Sequence, residues 1–247
     1  IREVAFTGDE DENQPFTFTP ENDPSGRPIV GNGRDDSPFI VGVTSKTLLH
    51  RLDLDPASFI FHHDATYKLS QAAYPVLVIG ISDKARSFHP VAVVVKSQQK
   101  QFHHAKALSA VRYVYQRVVG KPLLVHFVMA DADKGQRNAV EEVFGEDCLL
   151  VHLMCYFDVA KNVCEKAKGL EPSLFAMVLR DLHNLHFTAD RNEYETMKSQ
   201  ILAEWASWPG LAAFSSYFRA TWLSGHFWRW QAFHTPSGYA TTTNPVE

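Results

Sequence analysis

Three runs of β-type residues follow one another almost without pause: Ser58–Leu69, Pro75–Ser82 and Phe88–Lys96. Each is rich in Val, Ile, Phe or Tyr, and only short polar turns separate them, Ser70-Gln71 and Asp83-Lys84-Ala85-Arg86 among them. Connections this short join antiparallel neighbours, which commits the chain to a three-stranded meander. The pattern then changes period. Phe102–Val119 spaces Ala105, Leu108, Val111, Val114, Tyr115 and Val118 as a helix does, and Gly120-Lys121-Pro122 stops it. Leu123–Ala130 is a nearly continuous apolar run of strand length, suited to burial on both faces. Asp133 can cap a helix over Lys134–Phe144. Leu149–Cys155 reads as a further buried strand and Phe157–Lys168 as a further helix. The expectation is an α/β fold with the order β-β-β-α-β-α-β-α.

The flanks differ from this centre. Residues 1–36 are rich in Asp, Glu, Pro, Gly and Asn without an apolar period, and read as an acidic flexible linker. The α/β core is expected over residues 37–170, opening with a short helix near Ser45–Leu52 capped by Ser45 or Thr44. Beyond about residue 170 strand signals vanish. Leu174–His186, Arg191–Trp205, Leu211–Leu223 and Gly225–Phe233 read as helices, and all five tryptophans lie in this stretch. A helical unit over 171–234 that packs its own aromatic core is the expectation; rings that stack on nucleic-acid bases are the alternative. Residues 235–247 read as a polar return segment. There Asn244 and Pro245 look like the cap and first position of a helix that the sequence does not continue.

Charge and cysteine content narrow the classes. The formal net charge is −4, but residues 1–36 hold nine acids against three bases, a balance of −6, so the rest of the chain carries +2. That value neither marks nor excludes nucleic-acid binding, which depends on a local basic groove. Cys148, Cys155 and Cys164 are an odd set without a Cys-x-x-Cys pair, which argues against a disulfide framework and for a reducing compartment. The apolar runs are far too short to span a bilayer, so no membrane role is expected. The first residues are acidic, unlike a signal peptide, and the start at Ile1 suggests a piece of a longer chain.

Two carboxylates stand out. Asp64 sits inside a strand-like run, where Asp is disfavoured, and Asp131 ends the buried run Val128-Met129-Ala130. An acid at the C-terminal edge of a central strand faces the crevice where α/β sheets bind ligands. If the first and fourth strands are neighbours, the two acids meet, and a hard divalent cation would relieve their repulsion. The plainer reading makes such an acid a turn or helix cap. Other groups offer less. His183 and His186 share a helix face, His62-His63 and His103-His104 are adjacent and diverge, and Cys155, Cys164 and His152 lack zinc spacing. Gly31-Asn32-Gly33 is a turn in the linker rather than a phosphate loop.

Several segments, in order, resemble the Mutator-like element (MULE) transposases. Phe61-His62-His63-Asp64-Ala65-Thr66-Tyr67-Lys68-Leu69, Tyr74-Pro75-Val76-Leu77-Val78-Ile79-Gly80 and Phe88-His89-Pro90 are similar to that family's opening strands. Met129-Ala130-Asp131-Ala132-Asp133 leads into Asn138-Ala139 and Val143-Phe144-Gly145 as it does there. Leu153-Met154-Cys155-Tyr156-Phe157-Asp158 with Asn162 resembles the family's Cys-x-x-His block, and Gly238–Glu247 its Thr-Asn-Asn-Pro-x-Glu block. Asp158 replaces the family's His and Thr243 its first Asn.

The resemblance spans residues 38–247. It implies an RNase H-like mixed sheet with an all-helical insertion before a truncated final helix. It implies Asp64, Asp131 and Glu247 as catalytic acids that hold two Mg²⁺ or Mn²⁺ ions. The implied activity is DNA transposition by phosphodiester hydrolysis and strand transfer, with double-stranded DNA as partner and the nucleus as location; a homo-oligomer is consistent with it. Asp158 motivates the alternative, a decayed or domesticated module that keeps the fold and binds DNA or protein without the reaction.

Overall fold

The computed structural model describes residues 1–25, 27–66 and 74–242. Within them, a seven-stranded mixed sheet and seven α-helices make an α/β protein. The described residues divide into two compact units, one running to residue 152 and the other from 153 to 242.

The first unit is built on the meander. Strands β3 (Ile60–Thr66), β4 (Val76–Ser82) and β5 (Phe88–Lys96) pair antiparallel in turn. The expected extension of β3 through Tyr67-Lys68-Leu69 lies outside the described residues. Helix α2 (Gln101–Val119) follows and ends at Gly120, whose φ of +82° is the left-handed stop that the sequence marked. The length of α2 lets the chain cross back over the sheet. The next strand, β6 (Phe127–Ala130), therefore lies parallel to β3 rather than hairpinned to β5. Helix α3 (Lys134–Phe144) starts at Asp133, whose Oδ1 accepts the Gln136 N–H at 2.7 Å, so this acid is a cap. Strand β7 (Val151–Met154) closes the sheet, whose order is β1-β2-β5-β4-β3-β6-β7.

Alternation along β3 decides what each side does. Phe61 and His63 face α3 and α2, where Phe61 meets the Phe144 ring and His63 the His104 ring. Leu77, Ile79, Leu108, Val111 and Val140 fill the same core. Ile60, His62 and Asp64 take the opposite side.

The opening segment departs from the linker expectation. Phe16–Phe18 forms β1, which pairs antiparallel with β2 (Ile40–Thr44), and β2 pairs with β5. Phe16 and Phe18 are buried, Phe6 stacks on Phe16, and Gly42 leaves room for the Phe18 ring against the backbone. Two phenylalanines supply enough apolar area to fix an otherwise acidic stretch. Helix α1 (Lys46–His50) follows β2, with Ser45 Oγ accepting the Leu48 N–H.

The second unit is helical: α4 (Tyr156–Ala167), α5 (Pro172–His186), α6 (Arg191–Ala206) and α7 (Ala212–Phe218), the last running into a π-helical turn at Arg219–Leu223. Its core is aromatic, with Trp205, Phe214, Phe218, Trp222 and Trp230 buried together. The helix expected over Gly225–Phe233 is absent. Only a 3₁₀ turn at Ala232–His234 forms, because the carbonyls of Arg229 and Trp230 are engaged by Met154 N–H and His186 Nδ1 instead of by their own helix. Among the described residues no helix is long and apolar enough to cross a membrane.

Candidate active site

Asp64 stands within β3, opposite Val78 of β4, and is half-buried. Asp131 follows directly on the last residue of β6 and is also half-buried. The parallel register sets Ile60 against Phe127, Phe61 against Val128 and His62 against Met129. Continued two residues beyond that pairing, the same register would set Asp64 level with Asp131 at the C-terminal end of the two strands, which lie about 4.8 Å apart as neighbours.

Their surroundings are polar on both strands. Gln136 Nε2, one turn into α3, donates to Asp131 Oδ2 at 3.4 Å, and the Asp133 N–H donates to the Asp131 carbonyl at 2.8 Å. Asp133, by capping α3, fixes the turn that carries Asp131. Sequence spacing held the signal for Gln136, since it is the third residue of the helix that Asp133 caps.

His62 shares a face with Asp64. Its Nε2 bonds Ser82 Oγ at 2.8 Å and Phe88 packs edge-on against the ring. Burial lowers its pKa to about 4, so the imidazole is neutral at pH 7. His63 points the other way, fully buried, its pKa pushed well down by burial and then by His104 and Lys96. The Lys96 ammonium nitrogen lies 2.8 Å from His104 Nε2 inside the same core, and burial brings its pKa down to about 7 against the opposing pull of Asp133. Nothing in the sequence singles out Lys96, because a lysine closing a strand is ordinarily solvent-exposed.

The remaining candidates separate. His186 is buried, donates from Nδ1 to the Trp230 carbonyl and stacks on Tyr156 at 3.6 Å, while His183 is exposed, so they form no metal pair. His152 bonds Glu141 at 2.8 Å. Cys155 is buried at the start of α4, with Asp158 in its first turn, where the Asp158 carbonyl accepts from Asn162. Glu247 lies outside the described residues. Among the described residues, no three His, Cys, Asp or Glu side chains converge as a metal-holding set.

Residues 60–162 match the family model for the MULE transposase domain. The chain carries a MULE transposase domain. The match opens on the first residue of β3 and closes within α4, so it takes in the meander, α2, β6, α3, β7 and both acids. No curated protein matches the chain. Two hard oxygen donors, carried by adjacent strands, are a fitting start for a site that holds Mg²⁺ or Mn²⁺.

Proposed function

We propose that this MULE transposase domain is the catalytic core of a DNA transposase of the three-carboxylate type. The observation that carries the reading is the parallel β3–β6 register, which, continued two residues, would set Asp64 level with Asp131. The strand order β5-β4-β3-β6-β7, antiparallel across the meander and parallel from β3 to β6, supports an RNase H-like sheet. The helical stretch from α5 to Arg219–Leu223 fits the insertion of that fold. Asp64 and Asp131, with Glu247 as third acid, would hold Mg²⁺ or Mn²⁺. When bound, a pair of such ions stabilises the attacking and leaving oxygens of a phosphodiester exchange.

The chain's own residues supply the rest. The β3–β6 ladder fixes the carboxylate spacing, Gln136 orients Asp131, and Asp133 holds the turn between them. The neutral imidazole of His62 adds no positive charge that would compete for the acids. DNA is the partner this domain implies, and we place its work in the nucleus.

The test is cutting and joining of a terminal-repeat duplex in Mg²⁺ or Mn²⁺ by a chain extended past Glu247. Asp64→Asn and Asp131→Asn should each lower the rate at least about 100-fold, since metal-borne charge stabilisation is worth several kcal/mol and about 1.4 kcal/mol is tenfold. Equal rates for wild type and Asp131→Asn would sink the reading. Asp158, standing where the family has His, favours a second reading, a decayed module that binds without cutting. That form would show no rise in melting temperature in millimolar Mn²⁺, whereas a metal bound only by the folded state raises it.

A further inference from the structure

The second unit contains a cationic, ring-lined cavity of its own. It lies between the start of α6 and the segment from Leu223 to His234, and its volume is about 320 Å³. Ligand-sized clefts begin at roughly 300 Å³, so it has room for one small group.

Its charge is unbalanced. Arg191 lines it, with its guanidinium 5.7 Å from the centre of the Trp228 ring, while Arg229, outside the lining, approaches the same ring at 4.9 Å. Neither has a carboxylate within ion-pair distance among the described residues. The nearby acids are committed elsewhere. Asp190 Oδ1 accepts the N–H groups of Asn192 and Glu193 as the cap of α6, Glu193 Oε2 accepts from Ala189, and Glu195 pairs with Lys198 at 2.5 Å. Each guanidinium gains a cation–π contact with the indole, but that leaves its charge unneutralised. An anion in the cavity would meet the Arg191 fork, which matches the oxygens of a phosphate.

A third group points the same way. The His234 ring sits edge-on to Trp228 at 4.8 Å, and its Nε2 is screened from solvent without a partner among the described residues. Burial, then Arg229 and Arg191, lower its pKa to about 4, so near pH 7 it can accept one hydrogen bond or donate one. Tyr194 and Phe233 form the apolar wall.

We propose that this cavity binds one nucleotide of an unpaired DNA strand, with its phosphate on Arg191 and its base against the Trp228, Tyr194 and Phe233 rings. The assignment rests on the transposase reading for its choice of DNA, and it adds a second contact surface to that reading. Aromatic walls suit any base, since every base has a π face, so recognition here is of strand state rather than of sequence.

Fluorescence anisotropy of the full chain with a labelled single-stranded oligodeoxynucleotide, and with its duplex, tests this. R191Q should weaken single-strand binding about tenfold and flatten the salt dependence by about 0.7 in log–log slope for the phosphate no longer held. W228L should weaken it about 5- to 100-fold, the range of one missing base–ring stack, while W228F keeps most of the affinity and guards against misfolding. Unchanged affinity and salt slope in R191Q would overturn the cavity as a phosphate site. Equal losses on single strand and duplex would overturn the unpaired nucleotide. D131N should bind the single strand as wild type does; if it also cuts as wild type does, the reading of the acids fails while the cavity stands.

Discussion

Both units bury polar groups, but they satisfy them differently. In the helical unit the indole N–H groups of its core are accounted for. Trp205 donates to Asp181 Oδ2 at 2.8 Å, Trp230 to the Trp222 carbonyl at 2.8 Å and Trp222 to the Tyr217 hydroxyl at 3.0 Å. Asp181, itself buried, takes Arg180 on its other oxygen. In the sheet unit, beside the strand that carries Asp64, both ring nitrogens of His63, Nδ1 of His62 and Nδ1 of His103 are buried without partners among the described residues. A buried Lys96 faces a neutral His104. Unsatisfied buried nitrogens cost stability, and folds rarely keep them without use. The helical unit keeps orphans of its own, both amide atoms of Gln231 and His234 Nε2, so the contrast holds between its satisfied core indoles and the unsatisfied histidines next to the candidate chemistry of the sheet unit.

The comparison breaks most visibly at Trp205. Trp205→Ala removes a fully buried ring packed on Phe214 and Phe218 and should cost about 3–5 kcal/mol, read as a drop in denaturant midpoint. A smaller loss would mean that the helical core collapses around the gap. Next comes the polar contrast. Asp181→Ala strands the Trp205 N–H and should cost about 1–3 kcal/mol. His63→Leu removes two nitrogens that lack partners and should be neutral or stabilising by the same logic. If His63→Leu lost as much stability as Asp181→Ala, the two regions would not differ in the way described.

What the sequence disclosed follows the range of the interactions. The meander was legible because alternation and short turns are local, and the Asp133 cap because it acts over three residues. Asp64 drew notice by chemistry alone, as an acid in a strand. Its relation to Asp131 was not local: it depends on how far α2 carries the chain before β6 docks, which no window of residues records. β1 and β2 were missed for a related reason. A three-residue strand has no period, and what secures it is the Phe18 ring lying over Gly42, a contact across more than twenty residues. The Trp228 cavity needed groups from two separate elements, Arg191 and Tyr194 of α6 with Trp228 and His234 in a segment whose helical pattern misled.

Lys96 provides the finest test of the same contrast. It is buried at the end of β5 with His104 and His103 of α2, His63 of β3 and Asp133 ahead of α3 around it. Its pKa falls from 10.5 to about 7 on folding, so between those values the unfolded chain holds a proton that the folded chain has released. Raising pH through that window therefore stabilises the fold, by about 1 kcal/mol over the first pH unit above the folded value. His104 and His186, lowered to about 3 and about 4, give the same sign in both units, but their window closes near pH 6.5. Above about 9 the raised pKa values of Cys148, Tyr115, Tyr156 and Tyr194 turn the slope downward. Between roughly 7 and 9 the rise should therefore belong to the sheet unit alone. Chemical denaturation at several pH values should show that rise in wild type and lose it in Lys96→Met, which keeps the stem and removes the titrating nitrogen. A rise that survives in Lys96→Met would place its source elsewhere and remove Lys96 from the set of groups by which the sheet unit differs from the helical one.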